Sequence, residues 1–582
     1  MLLLNCLKLV PSSLRPNLVY NQHRLLGFQY PLQQTANPNF NLSNIQHKDE
    51  LHPEPVKSND DTIIGEIFPS ARVVPMVLTN KEHTVLSFDN VPGPKSLKYF
   101  ANARNYLSEI CTQITVGALK FGLNINSYIH TKKPIKNLSV LFDEYGPVVR
   151  FISPLGKDIV LLNHPDHIQK VYTLEGEFPV RSTLDSIEKY RTEHRNHAFG
   201  GLFTAQGQEW YRQRNTVYNP LHNSVTHHMA GINEVCENFT QKVYNIRNYQ
   251  DEVSKDLYKE IHKWAFDCLG LILFSKRFTM VDTELVYSQC DMSWLYHSLE
   301  RATDAILRCE SGLQLWKLFP TPAWSSLVKY CDSLDNLIGK HVMEAEQAIT
   351  YRSSEDGIIL ADTSSLISSM LLGEEKMTPE DIATVIMDLL LIGVNTITSS
   401  TSFFLYHLAK YQRVQRVLQK EIEDVYPNME HVDLKNIREE TPYLQACIKE
   451  TLRLVPPIPV LTRILPKNIT LDRYNIPRGT LIIMSPQDAS LKESNYESAK
   501  TFVPERWLKP DSKEYHAFAS IPFGYGSRKC LGQNIAETMM SILTVRLLQK
   551  YKLSYHYGDI EPKRTFIAIP NRPLKIRFID RM

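Results

Sequence analysis

The chain carries almost no net charge: 65 lysines and arginines face 63 acids, a formal +2 at neutral pH. A nucleic-acid binder usually has a strongly basic balance, so that class is set aside; a local basic patch for an acidic protein partner is still compatible. Cysteine pairs are also missing. The nine cysteines (6, 111, 236, 268, 290, 309, 331, 447 and 530) are odd in number, scattered, and include no Cys-x-x-Cys. Neither a disulfide framework nor a zinc site is indicated, and a reducing compartment is expected. No repeat divides the 582 residues, and no long Gly/Ser-rich or Pro-rich linker does so beyond about residue 95. One large domain is expected over 91–582, behind a linker over 49–90.

Acids are absent from the first 48 residues, which hold Lys8, Arg15, Arg24 and Lys48 before Asp49. Met1–Val10 is apolar but far short of the roughly 20 residues that cross a bilayer. No apolar run leads to a small-residue cleavage site. Leu, Arg, Asn, Gln and Ser without acids fit a mitochondrial transit peptide over 1–48. The alternative is an unstructured polar tail.

Helical pattern dominates the remainder. It runs from Gln206 to about Ile349, with Pro220, Pro320 and Pro322 as punctuation, and 352–366 reads as a polar loop. Thr378-Pro379-Glu380-Asp381 is a helix start: an N-cap hydroxyl, proline at the first position, acids in the first turn. The apolar run it opens reaches about Lys410. Between Ile382 and Val394 it is too apolar for a surface helix, which predicts a path through the interior. Another helix is expected from Thr441 to Leu454, ending before Pro456-Pro457. Val148–Ile152 and Asp158–Leu162 read as a hairpin. Ile469–Leu471 and Thr480–Met484 read as strands around an Asn475–Gly479 turn, and Leu574–Phe578 as a last strand. The expected class is mainly α with small β-sheets.

Phe523-Gly524-Tyr525-Gly526-Ser527-Arg528-Lys529-Cys530-Leu531-Gly532 carries the chemistry. It places one thiol between glycine-containing turns, just before a helix-like run, Gln533–Leu548. Nearby backbone N–H groups and the positive helix end favour a thiolate there. The glycines let the backbone approach something flat, and Arg528 offers a charge to its acidic edge. Those are the needs of a haem whose iron takes sulfur as a ligand. A buried structural thiol is the plain alternative.

The stretch resembles the Phe-Gly-x-Gly-x-Arg-x-Cys-x-Gly signature of the cytochrome P-450 monooxygenases. Val91-Pro92-Gly93-Pro94-Lys95 resembles the entry to that family's folded domain. The resemblance implies the cytochrome P-450 fold, with haem b (iron protoporphyrin IX) between the long internal helix and the helix after the cysteine. It implies Cys530 as the iron ligand, with Phe523 and Gly532 part of the haem cradle.

Other motifs acquire roles from the same resemblance. Trp210 and Arg214 share a helical face; with Arg463 and Arg528 they resemble the contacts to the two haem propionates. Glu450 and Arg453, with Arg506 from Phe502-Val503-Pro504-Glu505-Arg506-Trp507, resemble a buried ion network behind the haem. Ile392-Gly393-Val394-Asn395-Thr396 resembles a small residue-Gly-x-acid-Thr pattern, implying Thr396 and Asn395 as the catalytic pair that handles protons while dioxygen is split. Two departures stand out. Ile392 replaces the small residue, and Asn395 replaces the acid with an amide that can orient water but cannot exchange a proton near neutral pH. Thr396 can alternatively bond its own helix.

Phe178-Pro179-Val180-Arg181, Tyr190-Arg191, Gly200-Gly201-Leu202-Phe203 and Ile448–Leu454 resemble the animal mitochondrial branch. That branch implies electrons from NADPH, passed by a ferredoxin reductase to a small acidic ferredoxin that docks on basic residues. It implies the matrix side of the inner mitochondrial membrane; peripheral association with the endoplasmic reticulum membrane is the alternative. Lys449 and Lys529 are present, but Gln445 and Gln533-Asn534 stand where the branch usually has cations. The implied activity inserts one atom of O2 into an apolar substrate: a sterol, steroid, fatty acid or xenobiotic. The middle of the long helix, Ile458–Leu461 and Phe566–Ile569 are expected to face it. Two readings stay open beside it: an isomerase or dehydratase acting on a peroxide without external electrons, and a non-catalytic haem protein.

Overall fold

The computed structural model describes residues 85–93, 138–151, 158–197, 200–253, 256–281, 291–310, 314–356, 365–373, 377–427, 436–508, 515–563 and 566–581. All fall within one unit, Val77–Met582. The expected transit peptide, most of the linker, Pro94 and Lys95, the turn of the 148–162 hairpin and residues 357–364 lie outside the described residues. Residues 85–90, read from sequence as linker, hold onto the fold: Leu86 bridges Tyr474, and the Arg150 guanidinium lies 4.0 Å from the Phe88 ring centroid.

The helices begin with α1 Ser139–Tyr145, α2 Pro165–Leu174, α3 Asp185–Lys189, α4 Gly201–Thr204, α5 Gly207–His227, α6 Met229–Ile246 and α7 Leu257–Phe274. They continue with α8 Asp291–Glu310, α9 Pro322–Asp356, α10 Leu366–Leu372, α11 Pro379–Lys410, α12 Gln412–Val425 and α13 Ile437–Glu440. The last are α14 Pro442–Leu454, α15 Pro486–Ser490 and α16 Gln533–Lys550. Mainly-α architecture with small sheets is therefore observed.

Helix α11 starts where its sequence says. Thr378 Oγ1 accepts from Asp381 N at 3.1 Å, and Pro379 occupies the first turn, where its missing N–H has no partner to lose. The helix is apolar enough to cross a membrane, but 78% of its most apolar window is buried inside the fold. It packs on α7, α9 and α14 as the axis of the largest core cluster. Pro220 does not break α5, which runs through it. Val217, Leu221 and Val225 are buried on either side, and their burial offsets a proline cost of ~3 kcal/mol. Helix α9 likewise extends to Asp356, into the expected loop.

Strands β1 Val148–Phe151, β2 Ile159–Leu162, β3 Leu461–Ile464 and β6 Leu481–Met484 form one sheet in the order β1-β2-β6-β3. The hairpin β1–β2 is antiparallel, and β2 pairs with β6 in parallel. Val148, Val160, Leu162, Ile482 and Met484 enter one core cluster. The alternating Val149, Phe151, Ile159, Leu161 and Ile483 enter another. Both faces are covered, which is why these strands read as continuous apolar runs. The expected pairing of 469–471 with 480–484 is corrected. Strand β4 Ile469–Leu471 instead pairs with β5 Tyr474–Ile476, which overlaps the expected turn, and β6 lies between β2 and β3.

The final strands are β7 Tyr551–Ser554, β8 Pro562–Lys563, β9 Ile569–Pro570 and β10 Arg577–Asp580. Strand β10 begins three residues later than the apolar pattern suggested. Leu574 and Ile576 are buried without being laddered, whereas pairing with β7 sets the strand limits.

Candidate active site

The cysteine loop is closed by Cys530 N, which donates to Phe523 O at 2.9 Å. Phe523 is half-buried against the main core. Gly524 and Gly526 take φ of 72° and 70°, where an L side chain is strained. A Cβ at Gly526 would also stand 2.6 Å from Glu175 Oε1. Gly532 caps α16 and hydrogen-bonds the Cys530 sulfur through its backbone. Cys530 itself stays accessible at the end of this loop.

Burial pushes the Cys530 thiol up, while Gly532, Arg214 and Arg181 pull it down, and burial wins. The loop and helix end alone therefore do not hold the thiolate expected from sequence; a bound metal cation would displace the proton.

Four guanidiniums gather near this thiol. Arg528 is pushed down to about 8, by burial first and then by Arg181, Arg463 and Arg214. Arg181 is pushed down to about 10, by burial and then by Arg463. Arg528 Nε donates to Pro179 O at 3.0 Å, its Nη2 reaches Gln206 Oε1 at 2.7 Å, and its guanidinium covers the buried Trp210 ring. Arg214, one turn along α5, lies 5.8 Å from the same ring centroid. Arg463, on β3, is ion-paired with Glu175.

Arg528 Nη1 and Arg181 Nε are buried without a hydrogen-bond partner. One paired carboxylate among four cations leaves buried positive charge that a dianion would neutralise. The two propionates of haem b fit that demand. Among the described residues, no three His, Cys, Asp or Glu side chains cluster as metal ligands. A metal on Cys530 must therefore bring further ligands with it, as a porphyrin does. Sequence reasoning used Arg181 only as a branch marker. Its place among the cations depends on chain segments far apart, and no local motif announces it.

Glu450, Arg453 and Arg506 come together with no exposed charge. Arg453 binds both Glu450 oxygens, at 2.9 and 2.8 Å, and Arg506 Nε reaches Oε1 at 3.1 Å. Trp507 Nε1 and Val503 N add two more donors, at 3.0 and 3.1 Å. Arg453 spends its remaining capacity on the carbonyls of Ser490 and Ala499, each at 2.7 Å, and of Thr501 at 3.3 Å.

The main cavity is lined by α11 (Asp388, Leu391, Ile392, Asn395), by Thr303 and its neighbours on α8, and by Phe566, Ile567 and Ile569. Ile458 lines a separate small cavity with Pro456 and Pro486, so the 458–461 segment does not reach this one. Phe203, read from sequence only as a branch marker, connects the cavity to the arginine group. Its carbonyl accepts from Arg181 Nη2 at 3.1 Å, and its N–H donates to Asp388 Oδ2 at 2.9 Å. Asp388 also pairs with the buried Arg191 at 2.7 Å. Thr396 Oγ1 donates to Ile392 O at 2.8 Å, leaving its oxygen free to accept. Asn395 is buried, and its amide nitrogen turns to Leu391 O on its own helix and to Thr303 on α8.

Comparison with known proteins agrees with this geometry. The family model described as Cytochrome P450 matches residues 117–578. The chain belongs to the cytochrome P450 family. Among curated relatives, Probable cytochrome P450 301a1, mitochondrial, of Drosophila melanogaster is 27% identical over 86% of this chain and 88% of its own. The 1,25-dihydroxyvitamin D(3) 24-hydroxylase, mitochondrial, of Mus musculus is 28% identical over 77% and 85%. Cytochrome P450 CYP12A2 of Musca domestica is 28% identical over 75% and 84%. P450 proteins bind haem b through a cysteine thiolate, and this chain is a monooxygenase of that family.

The face of this P450 behind the cysteine loop carries a different set of cations from the one its branch resemblance implied. Lys449 is exposed, with its ammonium 4.1 Å from the Trp507 ring centroid. Gln445 donates to Ser541 Oγ at 3.0 Å and Gln533 to Glu537 Oε1 at 2.9 Å. Arg438, on α13, reaches Asn534 Oδ1 at 2.9 Å and pairs with Glu537. A guanidinium thus stands beside Asn534, supplied by a segment almost a hundred residues earlier.

Proposed function

We propose that this chain hydroxylates an apolar substrate (a sterol, steroid, fatty acid or xenobiotic) on the matrix side of the inner mitochondrial membrane. The electrons come from NADPH through a ferredoxin reductase and a small ferredoxin. Two electrons and two protons convert one atom of O2 to water while the other enters a C–H bond. The observation that carries the reading is the accessible Cys530 beside four arginines, two of which, Arg181 and Arg528, keep a buried N–H without a partner. When bound there, haem supplies the dioxygen chemistry, favoured by the sulfur ligand.

The protein's own residues do the rest. Arg181, Arg214, Arg463 and Arg528 bind the propionates, with Trp210 and Gln206 holding Arg528. The apolar cavity orients the substrate and excludes water. Thr396 accepts and passes a proton, with Asn395 fixing the neighbouring helix face. Lys449, Arg438 and Lys529 attract an acidic ferredoxin. Relatives named mitochondrial and the acid-free first 48 residues support the location.

The test is turnover of a sterol and fatty-acid panel by the haem-loaded full chain, with ferredoxin, reductase and NADPH. Oxygenated product that requires all three supports the proposal. Product formed from a lipid hydroperoxide with no electron donor, and from nothing else, would replace it with the isomerase reading.

A further inference from the structure

Polar side chains are few in the cavity, and most are committed. Asp388 takes Arg191 and Phe203 N on its two oxygens. Asn395 Nδ2 donates to Leu391 O at 2.8 Å and to Thr303 Oγ1 at 3.1 Å. A carbonyl only accepts, so the Leu391 contact fixes which end of the amide is nitrogen. His262 lies beside Asn395. His262 is buried and neutral, pushed down to about 4 by burial, and its Nδ1 meets Tyr296 OH at 3.1 Å. The amide nitrogen is thus held by α8 and by its own helix.

One consequence falls on Thr303. Its oxygen receives the Asn395 N–H, so its own proton points elsewhere, and among the described residues no protein group accepts that proton. An acid at position 395 would reverse this, because a carboxylate has no proton to give and would take the one on Thr303. Asparagine in place of the acid leaves the Thr303 hydroxyl as a donor in a cavity lined mostly by apolar side chains. We propose that Thr303 donates a hydrogen bond to an oxygen of the substrate, with Asn395 as the residue that positions it. The substrate is therefore an apolar molecule bearing a hydroxyl or carbonyl. This assignment rests on the monooxygenase reading above and narrows its substrate class. Tyr258 is the other hydroxyl in the lining and serves as the control.

The experiment is ligand titration of the haem-loaded full chain, read by the spin-state shift, with two matched pairs: cholestanol against cholestane, and dodecanol against dodecane. Wild type should bind the oxygenated member of at least one pair about fivefold to tenfold tighter, the range of one net hydrogen bond. Thr303→Val and Asn395→Asp should each bring the ratio close to one, and Thr303→Ser should keep it. A wild type with no preference in either pair overturns the proposal. So does a preference that survives Thr303→Val, or one lost only in Tyr258→Phe. The broader reading fails separately, if these ratios hold but ferredoxin-supported turnover yields no oxygenated product.

Discussion

The guanidinium carbon of Arg528 lies 3.7 Å from the ring centroid of Trp210. This stack ties the cysteine loop to α5, and Gln206 at the start of that helix takes Arg528 Nη2. Lysine has neither the planar fork nor the stacking face. Arg528→Lys should therefore loosen haem by about 1.5–3 kcal/mol, the usual worth of a charged hydrogen bond. Haem transfer to excess apomyoglobin would then be roughly 10- to 100-fold faster. An unchanged rate would remove Arg528 from the propionate site.

Arg181→Met should act with opposite signs on the two forms of the protein. Without haem it removes one of four mutually repelling cations, so the melting temperature of the haem-free chain should not fall. With haem it removes a propionate partner, and haem should be lost faster. Equal destabilisation of both forms would make Arg181 a purely structural residue.

Glu450→Gln should be severe. Two buried guanidiniums would lose their shared carboxylate, and breaking a buried pair typically costs about 3–5 kcal/mol. The expected result is a sharp fall in soluble, haem-loaded protein and in its thermal midpoint. Arg506→Lys, which retains the charge, should cost less.

His407, on α11, is buried and stacked on Phe502 at 4.8 Å. Burial pushes it down to about 3 from 6.5. It is neutral when folded, whereas an unfolded chain protonates it below about 6.5. Its stabilising effect is thus complete above that pH and declines as pH falls toward 3. His407→Gln should show a smaller loss of thermal midpoint than wild type between about pH 7 and pH 5. Parallel pH curves would contradict it.

Thr396→Ala should leave NADPH consumption largely intact while diverting electrons to hydrogen peroxide at the expense of product. Coupling unchanged from wild type would exclude Thr396 from proton handling.

Features that act within a few residues were legible in the chain. The Thr378 N-cap, the glycines at positive φ around Cys530, and the apolar run of α11 each depend on neighbours in sequence, so spacing is enough to reveal them. The helix limits at Pro379 and Leu454 follow for the same reason. Pro220 misled, because a helix-breaking residue is a local signal and the burial that overrides it is not.

The sequence by itself determined a glycine-turned cysteine loop, a buried central helix and a mainly-α class, since glycine conformation, capping and hydrophobic period are properties of short stretches. The tertiary structure alone decided the parallel pairing of β2 with β6, the entry of Arg181 among the arginines, the arrival of Arg438 beside Asn534 and the direction of the Asn395 amide. Charge and hydrogen-bond partners belong to residues brought together from distant segments, and no spacing along one segment encodes which of them will meet.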